Sequence, residues 1–515
     1  MGGGVMSQFD GAGKTESGFF SAPEIRAVSL SNGGAITGPG TYSVVVVKEC
    51  IDQAGYLHVG QPSIPFTFTT SSATNQALLT IIDGPNWIGN VERLGQIRYS
   101  VFRTQINGSI YYRNNMFTVT TGTGTSFTPF SITVNVSDTV IASSDILYTQ
   151  GGVLPHWTPD SCDVLFEHKT RLFCNDPSDD GALRYSNELV ASEAPAFSAV
   201  STVRIPGADR ITAGCSLDSN AIIFRARSIY AISGDGPDAT GQNGAFSPGQ
   251  LIYADVGAIN QDNICRFSQG VIFKSTDKGF FMLSRDLQVQ FIGAEVENYN
   301  SKTVVSSEVV AMTEADGTVE ECRFLCSDGT LLTYNYYNGQ WTTATLAGCT
   351  DAVQTGGRYV VVNPSTTAAS ARVFQQSLST YTDAFSNTSA TYQMTVETGW
   401  VKTADVQGFQ RIWKAQLLGE SQGPGAISVE VGYDYETSYN ESYTFNMSTM
   451  TTPNYTGGAI SAPQFDFVPV RQKCQAIRFR IKDYPTTGAV MKITNLSLEC
   501  GVKSGVFKLP AAKGA

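Results

Sequence analysis

Between residues 163 and 374 one design recurs five times: a short run of apolar, mostly β-preferring residues, a polar turn, and a second apolar run. The clearest copies join Ala221-Ile-Ile-Phe224 to Ile229-Tyr-Ala-Ile232 and Val271-Ile-Phe273 to Phe280-Phe-Met-Leu283, through the turns Arg225-Ala-Arg-Ser228 and Ser275-Thr-Asp-Lys-Gly279. Residues 163–175 and 321–335 read the same way, and a looser copy pairs 358–362 with 371–374. The starts fall near 163, 220, 270, 321 and 357, spaced by 57, 50, 51 and 36 residues. An all-strand period of roughly 40–50 residues is that of propeller blades, so the middle of the chain is expected to be a β-propeller.

Composition supports a large, turn-rich β protein. Charged residues make up 15% of the 515 positions, well below the ~25% of an average soluble chain, while Gly (50) and Tyr (22) are abundant. The length suits about three domains. With 34 Lys+Arg against 45 Asp+Glu and a net charge of −11, tight nucleic-acid binding is disfavoured, because it needs clustered cations to displace counterions. An acidic surface still lets DNA pass without sticking. A cationic leader with an apolar core is missing, as is any run of ~18 apolar residues, so the chain is expected to be neither secreted by a signal peptide nor membrane-spanning. Its ten cysteines lie mostly inside apolar strands and read as buried free thiols of a chain made in reducing cytosol.

The expected organisation is all-β: an N-terminal arm (1–20), a fibronectin-III or immunoglobulin-like β-sandwich (21–150), the propeller (151–390), a C-terminal β-sandwich (391–500) and a tail (501–515). In the first sandwich Thr41-Tyr-Ser-Val-Val-Val-Val-Lys48 is a strand, and Ile97 to Thr104 alternates before Asn107-Gly108, which predicts a type I′ hairpin turn. In the last, Ile427, Val429, Val431 and Tyr433 share one strand face.

Chemistry is sparse. Gly13-Lys14-Thr15 lacks the glycine, strand and helix that a phosphate loop requires. The three histidines, His58, His156 and His168, are scattered, and Cys322 with Cys326 has no second ligand pair, so neither a metal site nor a bound cofactor is expected. No Gly-x-Ser-x-Gly elbow occurs. The nearest approach to a sialidase Asp box, Cys326-Ser-Asp-Gly-Thr-Leu331, fails in spacing and lacks the tryptophan. No catalytic residue is assigned; Arg225, Arg227 and Lys278 read as solvated turn charges. Two segments read as contact surfaces. One is the glycine-rich loop at 234–249, with Asp235, Pro237, Asn243 and Phe246, expected to project towards a neighbouring subunit because no helix follows it. The other is the basic, partly apolar tail with Val506, Phe507 and Leu509.

Several stretches resemble the tail nozzle proteins of short-tailed bacteriophages, also called tail tubular protein B. They are Arg171-Leu-Phe and Arg184-Tyr-Ser; Ile222 to Pro237; Asp255-Val-Gly-Ala-Ile-Asn260 followed by Gly270-Val-Ile-Phe-Lys-Ser; Ile292-Gly-Ala-Glu-Val-Glu297; Glu397-Thr-Gly-Trp400; Gln407-Gly-Phe-Gln-Arg411; and Gly501-Val-Lys-Ser-Gly. Order and spacing over roughly 95–510 carry the match. The resemblance implies a non-enzymatic virion protein, made in the bacterial cytoplasm and placed in the tail. It implies a homo-hexameric ring below portal and adaptor proteins, with fibres or a tip protein outside and double-stranded DNA passing without sequence-specific binding. The alternatives are a fibre or receptor-binding protein and, more distantly, a sialidase-like propeller.

Overall fold

The computed structural model describes residues 6–9, 13–84, 97–118, 129–314, 317–364, 372–378, 391–404, 409–422, 425–446, 464–485 and 490–503. They form an all-β protein of many antiparallel sheets, none closed on itself. The chain divides into two compact units, Met1–Val309 with Glu321–Val353, and Val310–Glu320 with Gln354–Ala515.

The first unit begins with a small hairpin, Ser7–Phe9 against Lys14–Glu16, where the sequence suggested an arm without regular structure. Lys14 and Thr15 are therefore strand residues. Two sheets follow with one core between them. Glu24–Thr37, Thr74–Ile82 and Phe130–Val134 make the first; Gly40–Ile51 is paired with Leu57–Val59, Phe66–Thr70 and Arg98–Thr104 in the second, which Tyr111–Thr118 extends. Strict alternation in Thr74–Ile82 sends Asn75, Ala77, Leu79 and Ile81 inward, where the three apolar side chains meet Tyr42, Val44, Val46 and Val101. Val45 and Val47 point the other way but are also covered, by Phe102 and Leu147, which is why this strand reads as an unbroken valine run.

The Asn107-Gly108 turn differs from expectation. Of the two, Asn107 takes a positive φ of 54°, and the Gly108 N–H donates to the Gln105 carbonyl (2.9 Å), so a four-residue turn sits inside a longer connection. The Asn107 side chain fixes it by accepting from Thr41 N–H (3.0 Å), a bond across 66 residues that a local pattern does not show.

From Leu165 onward come four-stranded meanders. The first is Leu165–His168, Arg171–Asp176, Asp179–Ser186 and Phe197–Arg204; the second Ile211–Leu217, Asn220–Arg225, Ser228–Ile232 and Gln250–Ala254; the third Ile264–Phe267, Gly270–Ser275, Gly279–Ser284 and Val289–Phe291; the fourth Val304–Glu314, Gly317–Cys326, Thr330–Asn335 and Gln340–Thr345. A three-stranded sheet, Asp351–Thr355, Arg358–Asn363 and Arg372–Gln375, follows. All five hairpins read from the sequence are present. The first, however, joins strands one and two of its sheet, whereas the others join strands two and three. Aligned on second strands, the repeats start at Arg171, Asn220, Gly270, Gly317 and Arg358, and the intervals become 49, 50, 47 and 41 residues.

The strands of the second and third sheets read as continuous apolar runs because each of these sheets is buried on both faces. In the second meander Ala221 and Ile223 face the first sheet, joining Phe173, Leu183 and Tyr185, while Ile222 and Phe224 face the third, joining Val271, Phe273 and Leu283. Cys265, Ile272 and Phe280 of the third sheet meet Cys322, Phe324 and Leu332 of the fourth. Each such side chain contributes about 1.5–3 kcal/mol of transfer free energy. Gly214 marks a close approach: a Cβ there would collide with the Phe166 ring, so the first sheet packs directly on backbone of the second.

In the second unit, Gln354 donates to the Ala311 carbonyl (2.9 Å), and Glu314 accepts from Ser377 Oγ (3.0 Å) and Leu378 N–H (2.9 Å). Two further sheets share a core. One orders Thr395–Glu397, Ile477–Pro485, Gly425–Tyr433 and Glu441–Asn446; the other centres on Phe409–Gln422, paired along its length with Val490–Lys503. Ile427, Val429, Val431 and Tyr433 point into that core together, as their alternation predicts.

Candidate functional site

The glycine-rich loop leaves the third strand of the second meander at Ser233 and returns at Gln250. Its fold is set by its own polar groups. One Asp238 carboxylate oxygen accepts from Thr240 N–H (2.8 Å), Thr240 Oγ1 (2.5 Å) and Gln242 N–H (3.1 Å), and the other from Asn243 Nδ2 (2.7 Å). These bonds, led by that from the Thr240 hydroxyl, hold its carboxyl down at about 2. Ser233 and Ser247 tie the two ends together, and Asn243 takes a left-handed backbone (φ 60°) at the tip.

The four residues assigned to this loop separate into two kinds. Asp235 and Asn243 are exposed; Asp235 pairs with Lys169 of the first meander, which lowers its carboxyl. Pro237 is buried, and its carbonyl accepts from Arg171 Nη2 (2.5 Å), whose guanidinium is itself 1% exposed. Phe246 packs edge-on to Phe173 and Tyr185, with ring centroids 5.2 and 5.0 Å away. Gly236 (φ 77°) admits that ring, since a Cβ there would strike it. The expectation of a wholly projecting loop is thus corrected: its base completes the core between the first two meanders, and only 241–245 form a continuous exposed tip. Val506, Phe507 and Leu509 lie outside the described residues, as does the whole segment 504–515.

Arg225 also departs from its reading as a solvated turn charge. It is 1% exposed because the linker after the first meander folds over it: Nη2 donates to the Ile205 carbonyl (2.8 Å), and the guanidinium lies 5.9 Å from the Tyr230 ring. Burial lowers its pKa, and Nε and Nη1 are buried without a hydrogen-bond partner among the described residues. Arg227 and Lys278 are exposed as expected, pairing with Asp277 and Asp255 across the second and third sheets. Lys302, on the linker just before the fourth sheet, pairs with Asp328 in the turn between that sheet's second and third strands, so the Asp-box-like turn holds the entry to its own sheet.

Other titratable groups are likewise absorbed into packing. Cys322 and Cys326 share the core between the third and fourth sheets. His58 Nε2 lies 3.0 Å from Asp52, and its Nδ1 accepts from Gly18 N–H (3.1 Å). His156 stacks near Tyr148 with a pKa lowered by burial. His168 Nδ1 meets Ser216 Oγ at 2.7 Å, and burial drops its pKa to about 4. Among the described residues no group of three or more His, Cys, Asp or Glu could hold a metal ion. No described helix is long and apolar enough to cross a membrane.

No family model and no curated protein matches the chain. Matching solved structures include BBS1N in complex with ARL6DN, at 9% identity, a TM-score of 0.26, and coverage of 66% of this chain and 93% of that one. PorZ, a bacterial surface component of the type-IX secretion system of Porphyromonas gingivalis, matches at 11% identity and a TM-score of 0.16, over 58% of this chain and 46% of its own.

Proposed function

We propose that this chain is a structural virion protein of the tail-nozzle type, six copies of which form a ring around the DNA ejection channel of a short-tailed bacteriophage. In this reading the successive meanders are blades of a β-propeller, flanked by a fibronectin- or immunoglobulin-like sandwich and a C-terminal sandwich. The observation that carries the reading is the resemblance itself: its blocks keep their order and spacing, and those between Arg171 and Glu297 fall on three consecutive sheets and their linkers. Physical chemistry agrees with the role. Sheets that bury both faces make a stiff wedge, and a net charge of −11 per copy makes an acidic ring that repels phosphate rather than adsorbing it.

The test is electron cryo-microscopy of the assembly containing this chain. Sixfold symmetry around an axial channel is expected. Threefold spikes would replace the nozzle with a fibre or receptor-binding protein, and an isolated monomer with a carboxylate-lined pocket would replace it with a glycosidase.

A further inference from the structure

We propose that Cys162 and Cys174 form a dithiol–disulfide site, closed by exchange with a small disulfide such as oxidised glutathione and covered in the reduced protein by an N-terminal strap. Both are free thiols, and the backbone brings them together. Cys174 lies on the second strand of the first meander, opposite Leu165. Cys162 sits three residues before the first strand, on a stretch of chain clamped against the second. There the Asn175 side chain accepts from Asp163 N–H and Val164 N–H (both 3.0 Å), and Asn175 N–H donates to the Val164 carbonyl (3.3 Å). The two thiols are hydrogen-bonded to each other inside a small apolar cluster that includes Met6 and Phe197. With the Cys174 S–H as donor, the Cys162 thiol is held below its usual pKa, while the same bond and burial push Cys174 up. Cys162 is therefore the readier nucleophile and Cys174 the resolving group. No third ligand joins them among the described residues, so the pair lacks the donor set of a closed zinc site.

A second pair, Cys265 and Cys322, is also hydrogen-bonded, in the core between the third and fourth sheets. The route in separates the two pairs. Cys265 and Cys322 can be reached only by parting two packed sheets. Over Cys162 and Cys174 lies Met6, at the entry to the hairpin Ser7–Phe9 and Lys14–Glu16, which forms a two-stranded sheet of its own. This strap is tied down by few bonds: Ser17 N–H to the Met6 carbonyl (2.9 Å), Gln8 Nε2 to Asp52 (2.8 Å) and Gly18 N–H to His58 Nδ1 (3.1 Å). A lone two-stranded hairpin is marginally stable in water, so the strap opens locally far more readily than the sheets separate. Lifting Met6 uncovers Cys162 first, because Cys162 is 4% exposed and Cys174 not at all.

The exchange balances with no other reactant. The Cys162 thiolate attacks one sulfur of oxidised glutathione, forming a mixed disulfide and releasing one glutathione thiolate. The Cys174 thiolate then attacks the Cys162 sulfur and expels the second. One S–S bond forms in the protein, one breaks in the glutathione, and the two cysteine protons pass to the two glutathione thiolates. The product ties the chain entering the first meander to that sheet's second strand. None of the contacts supposed in the nozzle reading is needed for it.

The test is peptide mapping of the full chain after complete reduction, removal of the reductant, incubation with oxidised glutathione, and then unfolding and alkylation. A peptide linking Cys162 to Cys174, lighter by two hydrogens, is expected, with Cys265 and Cys322 still alkylated over the same time. Cys174→Ser is expected to stop at a glutathione adduct on Cys162, and Met6→Ala, which thins the cover, to speed the linkage about tenfold. Recovery of Cys162 and Cys174 as alkylated thiols, a glutathione adduct that persists on wild-type Cys162, linkage of Cys265 to Cys322 at the same rate, or a rate untouched by Met6→Ala would overturn the assignment.

Discussion

His168 is a base placed where a proton is unwelcome. It is 2% exposed, with one ring nitrogen on Ser216 and Nε2 against a surface that offers no polar partner among the described residues. Burial, aided by Lys169 and Arg266, lowers its pKa from 6.5 to about 4. Between those values the unfolded chain binds the proton and the native one does not, so stability is complete above pH 6.5 and falls as the pH drops towards 4. The loss is at most about 3 kcal/mol. His168→Gln, which retains a partner for Ser216, is expected to flatten denaturation midpoints measured between pH 7 and 4; an unchanged slope would mean that other groups govern it. Arg225 was harder to read, for a physical reason. An arginine beside a turn is ordinarily solvated, and only the linker at 205–210, distant from the local pattern, takes it out of water.

At the scale of elements, hairpins were legible because apolar runs bounded by Gly, Asp and Lys carry their own register. Phe224 illustrates what lies behind a run: it is fully buried, 5.2 Å from Phe273 of the next sheet. Phe224→Ala is expected to cost about 3–5 kcal/mol in denaturant titration, and a loss under about 1 would contradict the double-faced burial. Which strand of its sheet the first hairpin supplies was not legible, because Leu165–His168 is as apolar as a second strand. The glycine-rich loop was visible as a loop, yet its anchoring depends on Arg171 and Phe173, over sixty residues upstream. Removing all of 235–246 would expose Phe173 and leave Arg171 without the Pro237 carbonyl, so the whole-loop deletion is expected to destabilise the fold. Phe246→Ala should lower stability by about 3 kcal/mol, whereas Gln242→Ala at the exposed tip, where only the backbone of Gln242 bonds to Asp238, should change it by under about 1. A tip that contacts a neighbouring subunit will show Gln242→Ala in sedimentation of the assembly, not in the melting of the monomer.

At the scale of the molecule, the all-β class followed from composition, while alternation gave which residues of Gly425–Tyr433 share a face but not which sheets that face meets. The sixfold ring is the prediction belonging to this scale, and symmetry measured on the particle decides it.

The sharing of side chains between successive sheets has a consequence during synthesis. When the ribosome has released residues only as far as the second meander, Ile222 and Phe224 have no third sheet to cover them and form an apolar surface flanked by an open strand edge. The growing chain therefore carries a sticky front that moves from sheet to sheet until the last one is docked. Slow translation across 225–283 would lengthen the exposure of that front, and a chaperone that holds extended apolar segments would find its longest-lived target there.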